Sequence, residues 1–128
     1  MELIDTPYES LPRVLLVDDQ PFNLMAFKGM IEEQGLDADE RYSGHEAIEL
    51  VRQRILNKQP NYKLIMLDFS MPEIDGPQTS IAIRELCSEA GINRPYICCV
   101  TAYSEAEFKR KAIESGMDKF MVKPIQPK

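Results

Sequence analysis

The segment RVLLVDDQPFN, residues 13–23, decides the fold. Its start, RVLLV, is almost wholly apolar, the composition of a strand covered on both faces in a parallel sheet. Asp18 and Asp19 then stop the run. Pro21 follows, at a position where a helix starts well because its first turn needs no amide there. Strand, polar edge and helix in immediate succession are the opening of a βαβ unit.

Working outward, the pattern repeats. KLIML runs into Asp68, YICCV into Thr101, and KFMV into Lys123, each an apolar run ending on a polar residue. Between them lie helical stretches. Asn23, Ala26, Phe27 and Met30 fall on one face of the first, which Gly35 should cap. Residues 36–41, LDADER, read as a short edge strand with its acidic positions facing out. Ser43 and Glu46 form a capping box, followed by the stripe Ala47, Ile48, Val51 and Ile55, and residues 56–62, with Asn57, Pro60 and Asn61, break that helix. Asp75-Gly76-Pro77 opens a third helix that ends at Gly91. Ser104 and Glu107 form another capping box, opening a helix that stops at Gly116. The order β-α-β-α-β-α-β-α-β, with right-handed crossovers, gives an α/β doubly wound five-stranded parallel sheet.

Residues 1–12, with Pro7 and Pro12, read as a tail or linker, and residues 13–128 as the folded domain. A sheet of this kind normally carries a helix after its fifth strand, so the last helix is expected to be truncated and the chain to be cut from a longer one. The face shared by the first helix and the missing one would then be bare around Ile125 and alternate residues of YICCV and KFMV. Either the N-terminal segment with Leu3, Ile4 and Tyr8 covers it or a second copy does, and self-association is the expected outcome.

Composition narrows the functional classes. With 128 residues, 44% hydrophobic and 28% charged, the chain is long enough for one ordinary core. A formal net charge of −6 argues against non-specific binding to nucleic acid or to anionic membranes. No apolar run reaches the roughly 18 residues of a membrane span, and the start lacks the pattern of a signal peptide. The three cysteines show no C-x-x-C spacing and read as small buried hydrophobes of a reducing compartment.

In a parallel sheet the carboxyl ends of the strands open onto one edge, where ligands bind. Asp18, Asp19, Asp68, Thr101 and Lys123 would converge there. Crowded carboxylates repel one another, so the site must raise a pKa or recruit a cation. Oxygen donors with room for waters and a phosphate suit Mg2+, and no Cys or His is placed for zinc. Asp68 can act as a nucleophile on phosphorus, with Lys123 and the Thr101 hydroxyl set to meet the phosphoryl oxygens. His45, inside a capping box on an exposed turn, reads as a surface residue.

The pattern V-D-D-Q at 17–20, L-D-F-S-M-P-E-I-D-G at 67–76, T-A at 101–102 and K-P at 123–124 resembles the receiver domain of two-component response regulators, over residues 13–125. The resemblance implies a flavodoxin-like sheet in the order 2-1-3-4-5, with Asp68 as the phosphoacceptor for a phosphohistidine carried by a histidine kinase or histidine phosphotransfer protein. It also implies that Asp19, Asp68 and the Ser70 carbonyl ligate Mg2+, with Asp18 acting through water. Thr101, Ala102 and Lys123 would bind the phosphoryl oxygens, and the Lys123–Pro124 peptide would be cis. Thr101 would couple to the ring of Phe120 as a switch, although phenylalanine lacks the hydroxyl of the tyrosine often found there. Tyr103, two residues after Thr101, would flank the path of the hydrolytic water, as would Ser70. The segments D-D-Q-P-F-N and G-M-D-K-F-M-V-K-P-I resemble receivers of hybrid histidine kinases. The resemblance thus implies a cytoplasmic signalling module that assists its own phosphorylation, in a parent chain free to be membrane-anchored.

Other readings predict different chemistry. A stand-alone regulator would share every motif, and a degenerate receiver would only dock. A phosphatase of the haloacid-dehalogenase type also uses an aspartate after an apolar strand, but wants a second aspartate where this chain has Ser70. A dinucleotide-binding domain wants a Gly-rich first turn in place of Asp18-Asp19-Gln20.

Overall fold

Val14, Leu15, Leu16 and Val17 are all buried, which is the reason four apolar residues in a row form a strand rather than one face of a helix. They are β1 (Val14–Val17) of a computed structural model that describes residues 11–102 and 106–123. After β1 come α1 (Pro21–Glu33), β2 (Ala38–Arg41), α2 (Gly44–Leu56), β3 (Leu64–Asp68), α3 (Gly76–Ala90), β4 (Tyr96–Thr101), α4 (Ala106–Glu114) and β5 (Lys119–Val122). All strand pairs are parallel, and the order is β2-β1-β3-β4-β5. The fold is therefore the flavodoxin-like doubly wound α/β sheet that the sequence implies.

Strand alternation divides the core in two. Leu15, Val17, Ile65, Leu67, Ile97 and Cys99 pack with Ala47 and Val51 of α2, Ile83 and Cys87 of α3, and Ala112 of α4. Val14, Leu16, Cys98 and Val100 turn to the other side and meet Leu24 and Phe27 of α1. The three cysteines are free and buried, as expected.

Several details depart from the sequence reading. The buried stripe of α1 is Leu24 and Phe27 with Ile31 beside them, whereas Ala26 is exposed. This helix is apolar almost all round, so periodicity alone left its phase open, and the bulkier set faces inward. Ser43 Oγ accepts from the Glu46 amide at 3.1 Å, but Glu46 reaches back to the amide of Tyr42 rather than to that of the cap itself. The full reciprocal box stands instead on α3, between Asp75 and Gln78. Cys98 and Val100 are 4% and 0% exposed, so the β4 part of that face is buried, and self-association through it has no support among the described residues. The Ser104 cap, Tyr103, the Lys123–Pro124 peptide, Ile125 and residues 1–10 lie outside the described residues.

Asp39 does not face out as an edge acid should. Its Oδ2 accepts from the Tyr62 hydroxyl at 2.5 Å and from Arg54 at 3.2 Å. The Arg54 guanidinium sits 3.9 Å from the Tyr62 ring centroid and also donates to the Pro60 carbonyl. Arg54 is 5% exposed, and a buried cation needs a counter-charge, which explains why β2 turns this acid inward. Burial first, then the bond to Asp39, pushes the Tyr62 hydroxyl well above its ordinary pKa.

Candidate functional site

The site is set by where strands stop. Asp18 follows β1, Asp68 and Thr101 end β3 and β4, and Lys123 follows β5. Parallel registers bring these ends to one edge, and the Lys123 amide donates to the Thr101 carbonyl at 2.7 Å. Lys123 Nζ donates to Asp18 Oδ2 at 2.9 Å and to Asp68 Oδ1 at 3.2 Å. Asp18, Asp19 and Asp68 each place an oxygen within 4.8 Å of the others'. Asp18 and Thr101 are fully buried, Asp68 nearly so, and Asp19 is half-buried.

The crevice thus brings together the side chains of Asp18, Asp19, Asp68 and Lys123, and Thr101 is tied to its edge through the carbonyl that accepts from Lys123. Phe120 is half-buried against the α2–α3–α4 side of the core, Ala102 is exposed, and Ser70 is exposed in the loop after Asp68. His45 is exposed and lies 3.8 Å from Glu73, outside the crevice.

Three supporting features escaped the sequence reading. Asn23, read as a position on the face of α1 and as the end of the D-D-Q-P-F-N segment, donates from Nδ2 to Asp18 Oδ2 at 3.3 Å, and the Gln20 amide donates to Asp18 Oδ1 at 2.9 Å. Gly76, read as a helix start and as the last residue of the 67–76 motif, lies hard against the end of β3. A Cβ there would fall 2.5 Å from the Asp68 carbonyl oxygen, so only glycine lets α3 begin against the end of β3. Its amide donates to the Phe69 carbonyl at 2.8 Å. The D-G-P triplet was the available signal. Glu73, in the same loop, has φ of 73°, an uncommon left-handed conformation for a side-chain-bearing residue.

Electrostatics follow from crowding. Burial, reinforced by the Asp18 charge and only partly offset by Lys123, pushes the Asp68 carboxyl up from 3.8 to about 6. Burial pulls Lys123 down, but Asp18 and Asp68 together outweigh it and leave its pKa raised. At neutral pH the ammonium is firmly charged and ties two carboxylates that repel each other. An all-oxygen donor set with a carboxyl held this far up fits a hard divalent cation, because a second positive charge relieves the repulsion that Lys123 relieves only in part.

A parallel α/β sheet whose carboxyl-end crevice joins three aspartates and one ammonium suits a hard divalent cation. The chain belongs to the response regulator receiver domain family, which matches residues 14–128. It is 35% identical over 114 residues to the sensor protein GacS of Pseudomonas syringae pv. syringae, covering 89% of this chain and 12% of that protein. It is 34% identical over 120 residues to hybrid signal transduction histidine kinase L of Dictyostelium discoideum, covering 94% of this chain and 7% of that one. The chain thus spans about a tenth of the length of these relatives. The receiver domain of the histidine kinase CKI1 from Arabidopsis thaliana, complexed with Mg2+, superimposes with a TM-score of 0.76 at 30% identity, over 85% of this chain and 81% of that one. Among the described residues no helix is long and apolar enough to cross a membrane.

Proposed function

We propose that this chain is a phosphoacceptor module of a two-component phosphorelay, in which Asp68 takes a phosphoryl group from a phosphohistidine on a histidine kinase or histidine phosphotransfer protein. The observation that carries this reading is the setting of Asp68: a buried carboxylate at a strand end, 3.2 Å from an ammonium and crowded by two further carboxylates. An Asp68 oxygen forms the bond to phosphorus as the phosphorus–nitrogen bond breaks, and the electron pair stays on the imidazole, which takes up a proton. Lys123 is close enough to pass from the Asp68 carboxylate to a phosphoryl oxygen without leaving Asp18. Thr101 and the backbone at Ala102 supply further donors to that group, and Phe120 answers the movement of Thr101.

A divalent cation, Mg2+ by its match to this donor set, would neutralise charge developing on the phosphoryl oxygens. Asp18, Asp19, Asp68 and the Ser70 carbonyl are the groups that would hold it. Residues 13–128 form the proposed module, with 1–12 as a tail. The names of the curated relatives support a parent chain that is a hybrid histidine kinase, with this module as its non-enzymatic signalling part.

Incubation with acetyl phosphate and Mg2+ followed by intact mass spectrometry tests the reading. One phosphoryl adduct in the wild-type chain, absent from Asp68→Asn, is the expected result. Multiple-turnover phosphate release would favour a phosphatase, and no adduct would favour a docking-only domain.

A further inference from the structure

Phe69, the residue directly after Asp68, is held on three sides. Its amide donates to the Val100 carbonyl of β4 at 3.0 Å, and its carbonyl accepts from Gly76 at the start of α3 at 2.8 Å. Its ring meets Phe108 of α4 edge to face, with centroids 5.0 Å apart and planes at 80°. That is a favoured arrangement for two rings, and it is lost quickly on displacement because it depends on orientation as well as burial. Phe69 is 5% exposed, so its ring has little room to follow a moving partner by reorienting alone.

The other end of α4 is anchored differently. Just past its last residue, the Ser115 carbonyl accepts from Ser80 Oγ at 3.0 Å and from Arg84 at 3.3 Å, both on α3. Gly116 then turns the chain at φ of 89°, and a Cβ there would lie 2.2 Å from the Arg84 side chain. One end of α4 is thus pinned to α3, while Phe108, in the first turn of the helix, leans on the residue next to Asp68.

We propose that the Phe69–Phe108 ring pair is a positioning pair that carries the occupancy of Asp68 to α4, which answers by pivoting about its clamped carboxyl end. The proposal rests on Asp68 being a phosphoacceptor and names how that site is read out. Phosphorylation adds bulk and charge at the end of β3, and Phe69, fixed by β4 and α3, passes the shift to the one side where it meets a ring instead of a backbone bond. By linkage, holding α4 must in turn change the free energy of loading Asp68.

Amide exchange over residues 106–114 tests this in the full chain, with and without acetyl phosphate and Mg2+, the adduct being counted by intact mass. The wild-type chain should show a several-fold change in α4 exchange on phosphorylation. In Phe108→Leu the adduct should still form while the α4 response falls at least about threefold, Phe69→Leu should do the same, and the double variant should lose no more than either. Phe108→Tyr, which keeps the ring edge, should retain the response. Phe108→Met offers a volume-preserving substitute should Phe108→Leu lose its fold.

A merely structural pair would raise basal exchange in these variants and leave the phosphorylation-dependent change intact. That outcome, additive losses in the double variant, or a phosphorylated wild type with no α4 response would overturn the pair alone. A wild-type chain that forms no adduct at Asp68 would overturn the phosphoacceptor reading and this one with it.

Discussion

Asp68→Asn should stabilise the cation-free domain at neutral pH. The carboxyl sits at about 6 in the folded chain against 3.8 for an unperturbed group, with burial the main cause, the Asp18 charge the next, and the attraction of Lys123 already included. Because the folded pKa is raised, the protonated form is the one that folding favours. The stability tied to this group is fully present below pH 3.8 and is lost as the pH rises through about 6. At about 1.4 kcal/mol for each tenfold in proton affinity, the ionised group costs the fold about 3 kcal/mol at pH 7.5. Asparagine imitates the protonated carboxyl in shape and charge. Urea unfolding in EDTA, followed by far-UV circular dichroism because the chain has no tryptophan, should find Asp68→Asn more stable by up to that amount at pH 7.5. The advantage should shrink steadily toward pH 4. A variant no more stable than wild type at pH 7.5, or a gain that does not change with pH, would refute this account of the crevice.

Asp19→Ala should abolish the rise in melting temperature that Mg2+ gives the wild-type chain, a ligand-binding effect read by thermal denaturation with and without the ion. Lys123→Ala should destabilise the chain in EDTA at pH 7.5, since it leaves two buried carboxylates unpaired, and Mg2+ should recover part of the loss; equal melting of the two chains in EDTA would contradict this. Gly76→Ala should cost about 3 kcal/mol or misplace the end of β3, because its Cβ would collide with the Asp68 carbonyl; denaturant midpoints and the yield of phosphoryl adduct report the two outcomes. Arg54→Ala should cost about 3 kcal/mol by stripping Asp39 of its counter-ion, yet leave the adduct yield unchanged, as the site lies at the far end of the strands.

The strand ends were legible because each apolar run stops abruptly on polar residues, a signal that burial on both faces of a parallel sheet makes clear. Asp18, Asp19, Asp68, Thr101 and Lys123 could be placed together from that alone, and the topology followed from the alternation of strand and helix. What the residues did not disclose was relational. Nothing local tells that Asn23 leans on Asp18, that Arg54 is buried on a helix whose other faces are ordinary, or that Phe69 and Phe108, far apart in the chain, meet ring to edge. The phase of α1 was lost because seven apolar residues between Phe22 and Ile31 leave no polar face to contrast with. The box at Asp75–Gln78 was overlooked in favour of the Ser–Glu pattern at Ser43, although the physical requirement, an acceptor at the cap and a side chain reaching back, is the same.

The cluster of Tyr62, Asp39 and Arg54 has a consequence for how the domain comes apart. It binds β2, α2 and the approach to β3 at the amino ends of the strands, whereas the carboxyl ends carry like charges bridged by one lysine. Openings short of global unfolding should therefore begin at the rim and run toward the base, so slow-exchanging amides should gather in the first residues of β1 and β3 and thin out toward Asp18 and Asp68. Ligand loading then acts on the least stable part of the molecule, where a given interaction energy moves the most chain.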